Sequence, residues 1–319
     1  MEITPQHPLV SVAVIAYNSA EYILETLESI KSQTYDNIEL IVSDDCSTDN
    51  TLDICRKWMD DNKSRFLEVR IVESPNNTGQ SGNYNRAFDA CAGEWIKEID
   101  GDDKLLPDCI SDFILYTEQH PEAKYIFGKM VHFGKEVSGE KNLEHDYSFF
   151  KLTSELQLHK LIYEGNFIPS ASSFYNKTFI QQLGFRNDER IPLLEDYPKW
   201  IKLLQLGVHF YFLDKNVVEY RIGSGISSRK VYSIPFYRSL VLCNCYYRYP
   251  YMLSENQSTA VNKIAEDFCE LYKNKIEVER LLHTHAYLLG KKILAPFNTI
   301  KRIVSTPCRK IIKKNNNDH

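Results

Sequence analysis

The sequence predicts an α/β fold in which helices flank a mainly parallel sheet. A continuous apolar run rich in β-branched residues, Leu9–Ala16, is typical of a strand that is buried on both faces. Strand-like and helix-like segments then alternate over roughly 100 residues, which is the pattern of right-handed βαβ units. Polar residues follow four of the strand-like segments. Because ligands of parallel sheets bind at the carboxyl ends of the strands, these polar segments are expected to meet in space.

Each element of the first part has a periodic signal. The predicted strands are short, apolar runs, and the predicted helices have apolar residues at intervals of three or four. After the first strand, the expected elements are a helix over Ser19–Gln33, a strand over Ile38–Ser43, a helix over Asp49–Asp60, a strand over Leu67–Val72, a helix over Gly79–Cys91 and a strand over Glu94–Ile99.

The second part of the chain mixes the two kinds of element. Helices are predicted over Pro107–Gln119, Phe149–Glu164, Lys177–Leu183 and Asp196–Leu206, and strands over Ala123–Phe133, Ser170–Asn176, His209–Leu213 and Val217–Tyr220. A polar loop is expected over Gly134–His145 and a flexible segment over Gly223–Ser228. From about Val231 the pattern is helical and amphipathic. We therefore expect a sheet-containing domain over residues 1–225 and a helical C-terminal extension over residues 226–319.

Composition narrows the class of protein. The net charge of −5 gives no indication of nucleic-acid binding. The eight cysteines include no Cys-x-x-Cys pair, so we expect reduced thiols rather than a disulfide framework or a zinc site. The first residues lack a signal-peptide pattern, and no apolar run reaches the ~20 residues that a membrane span requires. These features predict a cytoplasmic protein.

The segment Lys291–Lys314 is basic and amphipathic. It has eight basic residues and no acidic residue, interleaved with apolar ones. One interpretation is peripheral contact with anionic lipids at the inner face of the cell membrane. The other is a solvated tail or a contact between copies of the chain. The sequence leaves both open.

Three carboxylates in four positions follow the strand Glu94–Ile99: Asp100, Asp102 and Asp103. Like charges this close repel each other, so a fold that holds them together usually supplies a cation. Ligands that are all oxygen suit Mg²⁺ or Mn²⁺. Taken alone, the cluster is equally compatible with an acidic turn in solvent.

The residues after the first strand argue against a dinucleotide-binding enzyme. That class needs Gly-x-Gly-x-x-Gly, so that the backbone can approach a pyrophosphate. This chain has Ala16-Tyr17-Asn18-Ser19-Ala20, which contains no glycine.

Four motifs in order resemble the family 2 glycosyltransferases, over roughly residues 8–225. They are VSVAVIAYNSAEYILETLESIKSQTYDNIELIVSDDCSTDNT, NNTGQSGNYNRAF, GEWIKEIDGDDKLLPD and LLEDYPKW. The resemblance implies a GT-A fold, a nucleotide-sugar donor, a divalent metal held by an Asp-x-Asp motif, and inversion at the anomeric carbon. It is strongest to enzymes that assemble bacterial surface polysaccharides, which implies a glycan acceptor, for example one linked to a polyprenyl lipid.

The resemblance also implies roles for the acidic residues. Asp102, with Asp100, would hold Mn²⁺ or Mg²⁺, and Asp100 would also lie near the donor ribose. Asp45 would accept a hydrogen bond from the base, which suits a ring N–H of uracil or guanine; a UDP-sugar is favoured. Asp196 would be the catalytic base, and Glu195 would orient it or bind the acceptor. An acidic helix start is the alternative for this pair.

The remaining donor-binding residues are expected on the same loops. They are Ala16, Tyr17, Asn18, Gly79, Asn85, Gly101 and Arg221. Tyr17 would stack near the base or be an ordinary core residue. The family often has Tyr-Arg-x-His after its last strands, but this chain has Tyr220-Arg221-Ile222-Gly223. A histidine ligand from this loop is therefore missing, and Arg221 is expected to contact the diphosphate instead.

Two other functions remain open at this point. A sugar-phosphate nucleotidyltransferase would commonly have a glycine-rich basic loop after the first strand, which Ala16–Ala20 is not. A non-catalytic scaffold that binds glycans or nucleotides would not need the Asp-x-Asp and Glu-Asp pairs.

Overall fold

The computed structural model describes residues 7–134, 147–223 and 234–273. The chain divides into two compact units, with the boundary between Val231 and Tyr232. The first unit is built on an eight-stranded sheet with the strand order β3-β2-β1-β4-β7-β6-β8-β5. The predicted α/β class, with helices flanking a central sheet, is confirmed.

The sheet is parallel on one side and mixed on the other. Strands β1 to β4 pair in parallel, β7 is antiparallel to β4 and β6, β6 is parallel to β8, and β5 is antiparallel to β8. The strands are β1 (Val10–Ala16), β2 (Ile38–Asp44), β3 (Glu68–Glu73), β4 (Trp95–Asp100), β5 (Lys104–Leu105), β6 (Tyr125–Gly134), β7 (Ser173–Asn176) and β8 (Tyr211–Ile222).

The last strands differ from the sequence-based expectation. The single strand β8 replaces the two short strands that were predicted over His209–Leu213 and Val217–Tyr220. The exposed polar triplet Asp214-Lys215-Asn216 interrupts the apolar pattern, but the backbone continues to pair with β6 through a register shift. The two-residue strand β5 was not predicted, because it is too short to have a periodic signal.

The helices of the first unit lie where the periodicity places them, with changes at their ends. They are α1 (Ile23–Lys31), α2 (Thr51–Asn62), α3 (Gly79–Ala90), α4 (Cys109–Gln119), α5 (Ser154–Glu164), α6 (Lys177–Gln182) and α7 (Asp196–Gln205). Helix α1 begins at Ile23, with Tyr22 as its N-cap residue, so the predicted start at Ser19 is four residues too early; the Ser19 carbonyl accepts the amides of Tyr22 and Ile23, both at 2.9 Å, in the turn that leads into the helix.

Two 3₁₀ helices also shorten predicted elements. Residues Tyr147–Lys151 form a 3₁₀ helix, and α5 begins only after Thr153, whose side chain accepts the Leu156 amide as an N-cap. Residues Ser170–Ser172 form a second 3₁₀ helix that precedes β7.

The core of the first unit lies on both faces of the sheet. Every residue of β1 and β2 is buried, as expected for parallel strands covered by helices. Phe174 of β7 is fully buried, and its ring stacks between Trp95 at 5.1 Å and Phe113 at 4.7 Å. On the other face, Trp200 of α7 packs edge-on against Tyr125 and Phe127.

The second unit is helical in its described part. It contains α8 (Ile234–Cys243), a π-helical turn over Asn244–Arg248, α9 (Tyr249–Glu255) and α10 (Gln257–Lys273). The buried guanidinium of Arg248 lies 3.2 Å from the Asp267 carboxylate and connects the start of α9 to α10.

Several sequence-based expectations lie outside the described residues. They concern the basic segment Lys291–Lys314, nearly all of the loop Gly134–His145 and most of the segment Gly223–Ser228. Within the described ranges, no helix is both long enough and apolar enough to cross a membrane.

Replacing Phe174 with alanine tests the packing of the sheet. We expect Phe174→Ala to lower the free energy of unfolding of the first unit by roughly 3–5 kcal/mol, because a fully buried ring between two other rings is removed. All three tryptophans, Trp58, Trp95 and Trp200, lie in the first unit, so tryptophan fluorescence in urea follows this unit.

The control is Leu67→Ala, at a side chain that is 69% exposed, for which we expect a change within about 0.5 kcal/mol. Equal unfolding midpoints for the two variants would contradict the described core.

Candidate active site

The ends of three parallel strands meet at one edge of the sheet. In the strand register, Ala16 of β1 lies beside Asp44 of β2, and Ile15 lies beside Asp100 of β4. The chain leaves this edge through tight turns, in which Asn18 and Cys46 have φ values of 49° and 66°. The expected convergence of the polar loops therefore follows directly from the register.

Asn18 joins the loops that follow β1 and β2. Its side-chain oxygen accepts the Thr48 amide at 2.8 Å, and its own amide donates to Ser47 Oγ at 2.8 Å. Ser47 is held in turn by Asp44, which accepts the Ser47 amide at 2.8 Å. Tyr17 is 48% exposed beside this turn, so its interpretation as a core residue is wrong. Its exposed ring lies just after the end of β1, where a ligand could contact it.

Asp45 is almost fully buried, with 2% exposure. Its carboxylate accepts the amides of Thr78 at 2.9 Å and Gly79 at 2.8 Å, and Arg86 Nη2 donates to it at 2.9 Å. These bonds fix the loop before α3 to the end of β2. The predicted hydrogen bond from a nucleotide base requires a base N–H to join or replace one of these donors, and it stays a prediction.

Helix α3 positions the loop that precedes α7. A Cβ on Gly79, which has a φ of +79°, would lie 2.5 Å from Pro192 Cβ. Asn85 donates from Nδ2 to the Asn187 carbonyl at 3.0 Å and accepts the Asn187 amide at 2.9 Å. Gly79 and Asn85 were expected to approach a nucleotide, whereas the structure places these close contacts on residues 187–192. A direct role of either residue in nucleotide binding stays a prediction.

The acidic turn after β4 brings three carboxylates together. One oxygen of each of Asp100, Asp102 and Asp103 lies within 4.8 Å of the others. Burial and the charge of Asp102 raise the pKa of Asp100 to about 7, and the same two causes raise that of Asp103 well above its usual range. Tyr84 donates from its hydroxyl to Asp100 at 2.9 Å.

The donor set of this turn fits a divalent cation. Asp103 is 1% exposed, one of its oxygens accepts the Arg221 amide at 2.8 Å, and the other has no hydrogen-bond partner among the described residues. An orphaned buried carboxylate oxygen beside two further carboxylates is the arrangement that Mg²⁺ or Mn²⁺ would satisfy. Gly101 permits the turn to approach the segment that leads into α1, since a Cβ there would lie 2.9 Å from Ser19 Oγ.

Arg221 lies against the acidic turn. Its Nε donates to the Asp102 carbonyl at 2.8 Å, and its Nη2 lies 2.8 Å from Glu25 Oε2. The guanidinium also lies over the rings of Tyr22, at 4.2 Å, and Phe133, at 4.4 Å. Sequence reasoning did not assign Tyr22 or Glu25, because nothing in the sequence pairs α1 with a residue almost 200 positions later.

Glu195 and Asp196 lie at the start of α7. The Asp196 carboxylate accepts two hydrogen bonds, both of 2.6 Å: one from the backbone amide of Tyr197 and one from Nδ2 of Asn166. Burial raises the pKa of Asp196, against the opposing effect of the Asn166 hydrogen bond. Burial, followed by the charges of Asp196 and Asp100, raises the pKa of Glu195 well above its usual range. Asn166 was not predicted, because a single asparagine in a loop has no distinguishing pattern.

Tyr84 relates the two acidic groups. Its hydroxyl donates to Asp100 at 2.9 Å, and Nζ of Lys199 on α7 lies 4.7 Å from the centre of its ring. The Asp-x-Asp turn and the helix that begins with the Glu-Asp pair therefore both lie next to the same tyrosine. What they share is an acidic surface that can hold a cation at one end and accept a proton at the other.

Comparisons with known proteins show the family to which this fold belongs. The family model described as "Glycosyl transferase family 2" matches residues 11–184, more than half of the chain. The glycosyltransferase GlyG of Streptococcus pneumoniae is 26% identical over 242 residues, which cover 73% of this chain and 77% of GlyG. The Escherichia coli protein WfaP, a UDP-Glc:alpha-D-GlcNAc-diphosphoundecaprenol beta-1,3-glucosyltransferase, is 30% identical over 230 residues, which cover 70% of this chain and 81% of WfaP.

Solved structures show the same fold. S. aureus TarS 1–349 in complex with UDP-GlcNAc aligns with a TM-score of 0.59 and 23% identity, over 81% of this chain and 71% of that one. Another TarS structure aligns with a TM-score of 0.57 over 42% of its chain. At this level of identity the similarity concerns the fold.

Replacing Gly79 with alanine tests the contact between α3 and the loop before α7. We expect Gly79→Ala to destabilise the first unit by roughly 1–3 kcal/mol more than a control, because the added Cβ would meet both the side chain and the carbonyl of Pro192. The control is Gly207→Ala, since Gly207 has a similar φ of +84° but no heavy atom within 4 Å of the added Cβ. Urea unfolding followed by tryptophan fluorescence measures both, and equal losses would mean that Pro192 does not restrict residue 79.

Proposed function

This chain belongs to glycosyl transferase family 2 and is a glycosyltransferase with the GT-A fold, and on that premise we propose the reaction that it catalyses. The enzyme transfers a sugar from a nucleotide-sugar donor to a hydroxyl group of a glycan acceptor, with inversion at the anomeric carbon. The proposal is supported mainly by one observation, the Asp-x-Asp turn and the helix of the Glu-Asp pair both lying next to Tyr84.

A UDP-sugar is the proposed donor. WfaP is named for its use of UDP-Glc, and TarS was crystallised with UDP-GlcNAc. In this chain, the buried carboxylate of Asp45 and the exposed ring of Tyr17 lie at the ends of adjacent strands. They offer a hydrogen-bond acceptor for a ring N–H and a surface on which a base could stack.

The proposed acceptor is a glycan linked to a polyprenyl diphosphate. The name of WfaP specifies an acceptor of this class, and this likeness supports a role in the assembly of a bacterial surface polysaccharide. Such an acceptor is anchored in a membrane. We therefore propose that the enzyme works on the cytoplasmic side, at the inner face of the cell membrane, with the basic segment Lys291–Lys314 as its contact with anionic lipids.

The acidic turn would bind Mn²⁺ or Mg²⁺ through Asp102 and Asp100. Asp103 has an unsatisfied buried oxygen beside them and either supports the turn or completes the ligand set. When bound, the cation would neutralise the charge on the departing nucleoside diphosphate. Arg221 lies against the same turn and would add a second positive group toward the diphosphate.

Asp196 is the proposed catalytic base. The acceptor hydroxyl loses its proton to the Asp196 carboxylate while its oxygen forms a bond to the anomeric carbon. The bond from that carbon to the diphosphate breaks, and the electron pair leaves with the diphosphate. A single displacement of this kind inverts the configuration. The helix start favours the ionised form, Asn166 orients it, and burial makes the carboxylate more basic than it would be in water.

The variant Asp196→Asn tests the base. We expect the transfer rate to fall by about 10²- to 10⁴-fold, because the amide cannot accept the proton. The affinity for UDP, measured by isothermal titration calorimetry, should remain within about twofold. The control is Glu155→Gln, which neutralises an exposed acidic residue in the first turn of α5 and should leave transfer unchanged. Normal transfer by Asp196→Asn would exclude this residue as the base.

A thermal-shift panel tests the donor and the metal. UDP-, GDP-, CDP- and dTDP-sugars are compared with and without Mn²⁺, and we expect the largest rise in Tm with a UDP-sugar and Mn²⁺ together, since a ligand that binds only the folded state raises Tm. In Asp102→Asn the Mn²⁺-dependent part of the shift should disappear. Asp61→Asn, at an exposed residue of α2, should behave as the wild type. A full Mn²⁺-dependent shift in Asp102→Asn would exclude the proposed ligand.

A further inference from the structure

We infer that Lys199 and Glu98 form a buried ion pair that positions the helix of the proposed base against the strand of the acidic turn. Their side chains are each 6% exposed, and Lys199 Nζ lies 3.2 Å from Glu98 Oε2. Neither residue was among the predicted site residues. Both are positioning residues, and the inference rests on the proposed role of Asp196.

The pair connects two elements at defined distances from the acidic groups. Lys199 follows Asp196 by three residues, so the two lie about one turn apart on neighbouring positions of α7. Glu98 precedes Asp100 by two residues, so both side chains lie on the same face of β4. A contact between Lys199 and Glu98 therefore sets the distance between the start of α7 and the end of β4.

Two tyrosines hold the pair in place. Tyr175 of β7 donates from its hydroxyl to Glu98 Oε1 at 2.7 Å, which leaves Oε2 for the lysine. Lys199 Nζ also lies 4.7 Å from the centre of the Tyr84 ring, and the hydroxyl of Tyr84 donates to Asp100. The hydrogen bonds and ring contacts thus run from β7 through the ion pair to the acidic turn.

The positive charge of Lys199 also acts on the acidic pair at the start of its own helix. It lowers the pKa of Glu195 and of Asp196, each against the raising effect of burial. The ionised form of Asp196 is the one that accepts a proton. A lysine at this position therefore serves both the geometry of α7 and the protonation state of the base.

Titratable and charged groups surround Lys199 from five elements and the loop before α7. They are Glu98 and Asp100 on β4, Tyr84 on α3, Tyr175 on β7, Tyr125 on β6, Arg186 in the loop, and Glu195 and Asp196 at the start of α7. A small cavity lies beside the pair. Methionine and glutamine are close in size to lysine and glutamate, so they can replace the pair without overpacking.

The double variant Lys199→Met/Glu98→Gln tests the inference. It removes both charges at once, because removing only one would leave the other buried and unpaired, which destabilises strongly. We expect kcat to fall by about 10- to 100-fold through misplacement of the base, with the donor KM nearly unchanged.

We also expect the acid limb of the pH profile of kcat to move to higher pH in this double variant. The sign follows from the lost positive charge, which raises the pKa of Asp196, so a higher pH is needed to ionise it.

The matched control is Lys202→Met/Glu94→Gln. Lys202 is exposed on the same helix and Glu94 is exposed just before the same strand, so this variant makes the same changes of residue type and charge at the surface. It should keep the kcat and the pH profile of the wild type. A purely structural ion pair would lower Tm without moving the acid limb.

Tyr175→Phe provides a second variant that retains the ring and the pair. Loss of its hydrogen bond to Glu98 should lower kcat by about fivefold. If the double variant does not fold, the kcat of Tyr175→Phe tests the inference instead. Wild-type kcat in Tyr175→Phe, or in a folded double variant with an unshifted acid limb, would overturn the inference.

Asp196→Asn is assayed in the same series. Transfer by Asp196→Asn would refute the proposed base. If Asp196→Asn is inactive and the double variant is unaffected, only the positioning role is refuted.

Discussion

The fold must keep several carboxylates side by side at one edge of a buried sheet, and this electrostatic constraint explains most of the polar structure around the site. Buried anions are tolerated when donors or cations face them. Five of these carboxylates have partners that come from several elements. Asp45 is bound by amides of the loop before α3 and by Arg86, Asp100 by Tyr84, Asp103 by the Arg221 amide, Asp196 by Asn166, and Glu98 by Lys199 and Tyr175.

Helix α3 unites the two halves of the site because it contacts both. On one side, the amides of Thr78, just before the helix, and of Gly79, its first residue, donate to Asp45 beside the end of β2. On the other side, Gly79 lies against Pro192, and Ser81 Oγ donates to the Ile191 carbonyl at 2.7 Å. The loop that leads to Glu195 and Asp196 is therefore placed relative to the end of β2 by its contacts with α3. A small displacement of α3 would move both ends of the site together.

The elements of the first 100 residues could be predicted because their signals are local. Apolar runs and helical spacing depend only on near neighbours in the chain, and the edge at which the polar loops meet follows from the parallel register. The partners of the site residues could not be predicted in this way. Asn85 contacts residues 187 and 189, and Arg221 contacts Glu25, so their roles depend on contacts more than 100 residues apart in the chain. The polar triplet in β8 shows the same limit, since the strand continues through it because the residues on both sides of Asp214-Lys215 pair with β6.

The position of Arg221 shows how the chain can lack the histidine often found in this loop and still keep a cation at the turn. Its backbone amide and its Nε are committed to Asp103 and to the Asp102 carbonyl, so the residue stays beside the turn. Its Nη2 forms an ion pair with Glu25, whose side chain is 50% exposed. Because water surrounds this glutamate, the ion pair contributes little to stability. A diphosphate offers a bidentate acceptor of greater charge than this glutamate. The rings of Tyr22 and Phe133 also lie against the guanidinium and keep it beside the turn. Under the proposed function, a diphosphate that replaced Glu25 as the partner of Nη2 would leave the two hydrogen bonds of Arg221 to the acidic turn in place.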